Sequence, residues 1–72
     1  MQPIEVRSEM VASVWKIMVA VGDVVDPDTV VVVLESMKME IPVVAGAAGV
    51  IEALHVQEGD SVDEDEVIAT IS

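Results

Sequence analysis

The sequence predicts an all-β fold: a flattened sandwich or barrel of eight short strands, made of two four-stranded halves related by an approximate twofold axis. Three observations lead there. Seventeen valines and six isoleucines, with no phenylalanine or tyrosine, give a β-branched composition that is stiff at χ1 and suits strands better than helices. A gapless offset of 37 residues aligns residues 1–35 with 38–72, with identities at Ile4/Ile41, Val6/Val43, Val19/Val56, Gly22/Gly59, Asp23/Asp60, Val25/Val62, Asp26/Asp63, Asp28/Asp65 and Val30/Val67. Finally, "GDVVDPDTV" (22–30) matches "GDSVDEDEV" (59–67) in its turn residues as well as its valines, and turn residues are the harder coincidence.

The elements follow in order. Residues 3–7 ("PIEVR") and 13–20 ("SVWKIMVA") read as strands by composition and alternation. The Gly-Asp turn and the acidic cluster that follows it leave a two-residue strand at 24–25. Residues 29–35 ("TVVVVLE") form the last strand of the first copy. The second copy repeats the pattern at 40–44 ("EIPVV"), 50–56 ("VIEALHV"), 61–62 and 66–71 ("EVIATI"). A half of this size cannot bury its own apolar face, so the two halves pack on each other. At 72 residues the chain reads as a single domain, residues 1–72, of marginal core size.

Composition removes several classes of function. A net charge of -11 with only Arg7, Lys16 and Lys38 as cations leaves no basic patch for nucleic acid or anionic lipid. Even the longest apolar runs, such as Val30 to Leu34, are far too short for a membrane-spanning helix. The start "MQPIEVRSE" lacks a basic region followed by an apolar one, so a soluble, unprocessed protein is expected. The lack of cysteine rules out disulfides and thiolate metal sites and fits a reducing cytoplasm.

The junction of the two copies, "VVVVLESMKMEIPVV" (30–44), must reverse as a hairpin. With Met37 and Lys38 as a two-residue turn, Ser36 faces Met39, Glu35 faces Glu40 and Leu34 faces Ile41. Such turns favour Asn-Gly, since at least one residue takes positive φ, and Met or Lys there costs on the order of 1 kcal/mol. Glu35 opposite Glu40 is a like-charge pair, and Lys38 is the nearby cation able to soften it. Pro42 withholds a ladder hydrogen bond, which suggests an edge strand. Local rules broken together mark a functional site. An isolated exposed lysine is most often solubilising, and methionines such as Met37 and Met39 are most often core fill; their combination at the tip is what carries the functional reading.

"ESMKME" (35–40) resembles the attachment motif of biotinyl domains, the carriers of biotin-dependent carboxylases, and the strand pattern, both Gly-Asp turns and "AGV" (48–50) extend the resemblance over essentially the whole chain. The resemblance implies a flattened eight-stranded barrel-sandwich with the lysine at a hairpin tip. It further implies that Lys38 forms an amide with the valeric carboxyl of biotin, and that Met37, Met39 and Glu35 help biotin protein ligase recognise the site. The partners implied are that ligase and the biotin carboxylase and carboxyltransferase subunits between which the domain carries carboxylate in the cytoplasm, for instance in an acyl-CoA carboxylase. The domain itself is then a carrier without catalytic residues. Lipoyl domains share the fold but usually have Asp-Lys-Ala at the tip, so the methionines favour biotin. Ser36 replaces a commoner alanine, Ala12 stands where Gly49 stands in the second copy, and the protruding thumb and the Ala/Pro-rich linker of some members are missing. If the position of Ala12 requires positive φ, strain is expected there.

An alkyl ammonium is almost wholly protonated at neutral pH, so acylation needs the ligase's help. Elsewhere, His55 lacks a second histidine or cysteine for metal or triad chemistry and reads as a strand-surface residue. "DEDE" (63–66) lacks the spacing of a calcium loop and reads as a turn, and Trp15 as cover for one sheet face. Two alternatives stay open: a stand-alone biotinylated interaction module, and a lipoyl carrier.

Overall fold

The computed structural model describes residues 3–72, along which eight strands succeed one another: β1 (Ile4–Arg7), β2 (Ala12–Ile17), β3 (Val24–Val25), β4 (Val30–Ser36), β5 (Met39–Val44), β6 (Gly49–Leu54), β7 (Ser61–Val62) and β8 (Val67–Ile71). Every strand expected from the sequence is present. Two end earlier than expected, β2 at Ile17 and β6 at Leu54 instead of at residues 20 and 56. The cause is the turn that follows each. Asp23 Oδ2 accepts the Ala20 N–H at 2.9 Å and Asp60 Oδ2 accepts the Gln57 N–H at 2.9 Å, so these donors are satisfied by turn carboxylates, not by a sheet ladder.

The strands form two antiparallel four-stranded sheets ordered β1-β8-β6-β3 and β5-β4-β2-β7. Advancing 37 residues converts β1 into β5, β2 into β6, β3 into β7 and β4 into β8, so the repeat exchanges one sheet for the other. Each sheet draws two strands from each half. The same symmetry governs the bonds between halves. Gly22 N–H donates to the Ile51 carbonyl and Gly59 N–H to the Val14 carbonyl, both at 2.8 Å; Ile51 N–H donates to the Asp23 carbonyl at 2.9 Å and Val14 N–H to the Asp60 carbonyl at 2.7 Å.

Four register shifts also come in symmetric pairs. Trp15 is the extra residue where β2 runs along β4, and Glu52 is its counterpart on β6. Val31 is extra where β4 runs along β5, and Ile68 where β8 runs along β1. In a regular strand, neighbours face opposite sides; a bulge removes that restriction and increases the twist. Consequently Val31 and Val32 are both buried, as are Ile68 and Ala69, and four consecutive valines fit a strand that has only one face on the core.

The core consists of symmetry-related pairs: Val14 with Ile51, Val25 with Val62, Val31 with Ile68, Val32 with Ala69, and Leu34 with Ile71, all at most 2% exposed. Each of the larger side chains contributes about 1.5–3 kcal/mol by burial. The result is elongated, 36 by 18 by 17 Å.

Residues 12 and 49 depart from the symmetry. Ala12 takes no positive φ, so the strain considered for it is not present. Gly49, its counterpart, is held by close approach of the chain end: a Cβ there would lie 2.6 Å from the Ser72 carbonyl oxygen and 2.7 Å from Ile71 Cγ2. Gly49→Ala should therefore cost about 1–3 kcal/mol, read as a lower urea midpoint at unchanged m-value; an unchanged midpoint would show that β8 gives way without cost.

Candidate functional site

The β4–β5 hairpin pairs Ser36 with Met39, Glu35 with Glu40, Leu34 with Ile41 and Val33 with Pro42, the register expected from the sequence. β5 is the edge strand of its sheet, and Pro42 sits where a missing N–H is tolerated. Both turn residues, Met37 at φ 53° and Lys38 at φ 65°, are left-handed. This is the backbone of a primed two-residue turn, whose twist matches that of the flanking strands. Without a glycine, each left-handed residue costs about 1–2 kcal/mol.

What the backbone presents is a lysine flanked by apolar side chains in solvent. Met37 is 92% and Met39 65% exposed, so neither fills the core. Lys38 is exposed as well. The chain's three cations differ sharply in their surroundings. Arg7 forms an ion pair with Glu5 and donates to the Asp65 carbonyl at 2.7 Å. Lys16 lies with Nζ 5.2 Å from the centroid of the Trp15 ring. Among the described residues, no ion pair or side-chain hydrogen bond involves Lys38. Lys38 therefore forms no direct ion pair with Glu35 or Glu40, and these two carboxylates face each other across the ladder, both exposed.

A primary amine at such a tip can enter another protein's active site on a four-carbon stem while the hairpin fixes its base. Elsewhere the described residues offer little chemistry. No group of three or more His, Asp or Glu side chains is placed to hold a metal ion. His55 is exposed, with Nε2 2.8 Å from Thr70 Oγ1 on the neighbouring strand β8. The acidic segment 63–66 is a turn in which Asp63 N–H donates to Glu66 Oε1 at 3.0 Å, just as Asp26 N–H donates to Thr29 Oγ1 at 2.8 Å in the first copy. A groove of about 430 Å³ between the edge strands β1 and β5 is lined largely by aliphatic side chains, among them Val6, Ile41 and Val43.

Two features were not foreseen in the sequence. Trp15 is 43% exposed and is the bulged residue of β2, and Glu58 Oε2 accepts the N–H of nearby Ile17 at 3.0 Å. The only signal for the first was the apolar side chain at a position whose counterpart, Glu52, is charged.

A family model named for biotin and lipoyl attachment and described as "Biotin-requiring enzyme" matches residues 4–71. A "Biotinylated protein TB7.3 homolog" of Mycobacterium leprae is 48% identical over 68 residues, covering 94% of this chain and 96% of the relative. A "Biotin/lipoyl attachment protein" of Bacillus subtilis is 40% identical over 67 residues, covering 93% and 92% respectively. In structure, the urea carboxylase of Kluyveromyces lactis contains a segment that superposes with a TM-score of 0.93 at 30% identity, covering all of this chain and 6% of that one.

If the turn is strained, the sequence that hairpins prefer should relieve it. The double substitution Met37→Asn, Lys38→Gly is expected to raise stability by about 1–2 kcal/mol in urea denaturation; no gain would mean that the left-handed backbone costs nothing here.

Proposed function

The chain belongs to the biotin/lipoyl attachment family, and on that premise we propose that residues 1–72 act as a single biotin carrier module acylated on Lys38. The observation that carries this reading is the tip itself: an exposed lysine without an ion pair among the described residues, on a turn whose two residues are both left-handed, between two exposed methionines. The residues present fit the group. Lys38 is exposed, and the methionines on either side of it are exposed as well.

In the attachment step biotin protein ligase deprotonates the Lys38 ammonium, and Nζ attacks the acyl carbon of biotinyl-adenylate. The C–N bond forms, the acyl carbon–phosphate oxygen bond breaks, and AMP leaves with the electron pair. Met37 and Met39 supply apolar contact area beside the reacting amine, and Glu35 supplies an acidic contact two residues before Met37. Rigidity is this chain's contribution: the β4–β5 ladder holds the base of the lysine, so the ligase need order only the side chain.

Bound biotin would accept carboxylate at a biotin carboxylase site and release it at a carboxyltransferase site. The hairpin keeps it at high effective concentration for both. The fold match to a segment of a urea carboxylase supports this role, and cytoplasmic action agrees with a chain free of cysteine. A second reading, a stand-alone biotinylated interaction module, is favoured by the M. leprae relative, which is of about this chain's length and is named only as biotinylated. A carboxylation assay with carboxylase subunits from the same cell separates the two readings. Lipoate is disfavoured by the paired methionines.

The attachment site is tested with purified ligase, biotin and ATP. Lys38→Arg should abolish incorporation while the urea midpoint stays within about 0.5 kcal/mol of the parent, and Lys16→Arg should incorporate normally. Biotin retained by Lys38→Arg would overturn the assignment.

A further inference from the structure

The attachment chemistry makes no use of the sulfur atoms of Met37 and Met39, yet these side chains are 92% and 65% exposed. Another apolar side chain would give the ligase the same contact area. What a thioether adds is a soft, oxidisable atom. Resting on the reading of Lys38 as the acylated residue, we propose that Met37 and Met39 form a reversible oxidation site, with a hydroperoxide as oxidant, that turns acylation of Lys38 off.

The chemistry balances within named groups. The sulfur lone pair attacks one peroxide oxygen, the O–O bond breaks and a sulfur–oxygen bond forms. Sulfur loses two electrons, and the peroxide is reduced to water or an alcohol. A thiol-dependent sulfoxide reductase reverses the step, with two thiols becoming a disulfide and the oxygen leaving as water.

Three features of the chain direct oxidation to the tip. It has no cysteine, so no thiolate competes for the oxidant. Among the other described methionines, Met10 is packed against the core and Met18 is 56% exposed, so Met37 is the most exposed methionine among the described residues. The net charge of -11, with Glu35 and Glu40 beside the turn, repels anionic oxidants but not a neutral hydroperoxide.

Adjacency gives the switch its effect. Met37 and Met39 each neighbour Lys38 in sequence, and Met39 closes the turn opposite Ser36. An enzyme pocket that takes in Lys38 Nζ must also cover both methionines, so a sulfoxide is carried into an apolar contact. Burying that polar group without a partner lowers the rate about tenfold per oxidised side chain.

The test uses the biotin-free chain, hydrogen peroxide and the ligase from the same cell. Peptide mapping follows sulfoxide at each methionine, and a timed biotin blot gives the acylation rate. Met37 should oxidise before Met10, Met18 and Met39, acylation should fall about a hundredfold once both tip methionines are converted, and a sulfoxide reductase should restore it. A Met18→Leu chain should lose activity on peroxide treatment like the parent. Unchanged acylation after full conversion of Met37 and Met39, or loss of peroxide sensitivity in Met18→Leu, would overturn the proposal while leaving the Lys38 assignment standing. An untreated chain that the ligase does not acylate would overturn both.

Discussion

The structure depends on an exchange of backbone hydrogen bonds between the two halves of the chain, in which Gly22 N–H reaches the Ile51 carbonyl while Gly59 N–H reaches the Val14 carbonyl. Val14 and Ile51 are themselves almost fully buried. The bonds therefore tie each turn of one half to the core strand of the other. Without that exchange each half would keep an open apolar face and unpaired turn donors, a double cost that a chain of 72 residues has little surplus burial to offset. This interlocking explains why each sheet mixes strands of both halves instead of containing one half each.

The symmetry also places the site. The strand pair β4–β5 corresponds to the pair β1–β8, but only the former is closed by a turn; β1 and β8 meet as the first and last strands of the chain. A residue placed at the tip thus has no structural counterpart elsewhere in the fold, and a backbone cost there is not duplicated. The core sits away from the turn, its nearest fully buried hairpin residue being Leu34. The turn can therefore bear two left-handed residues and three exposed long side chains without disturbing the packing that holds its base.

Much of this was legible in the sequence because turns are local. Gly-Asp pairs, acidic clusters and a methionine-flanked lysine each declare themselves over a few residues, and from them the eight strands and the hairpin register follow. Long-range features were harder to see. The bulges at Trp15, Val31, Glu52 and Ile68 arise from fitting two twisted sheets around one core, and the sole hint of them is Trp15, apolar where its counterpart Glu52 is charged. The four-valine run was readable as a strand, but the burial of both Val31 and Val32 was not. At the tip, Lys38 was legible as the cation nearest Glu35 and Glu40, but that it makes no direct ion pair with either was not. The exposure of Met37 and Met39 comes from the turn geometry, which overrides the usual tendency of methionine to fill a core.

On the proposed function, the chain bears the cost of a poor turn to present one amine to another enzyme. Mass spectrometry of the protein isolated from its own cell, with fragmentation across residues 35–40, tests this most directly. The expected result is biotin in amide linkage on Lys38, with Lys16 unmodified. An unmodified Lys38, or a lipoyl group there, would contradict it.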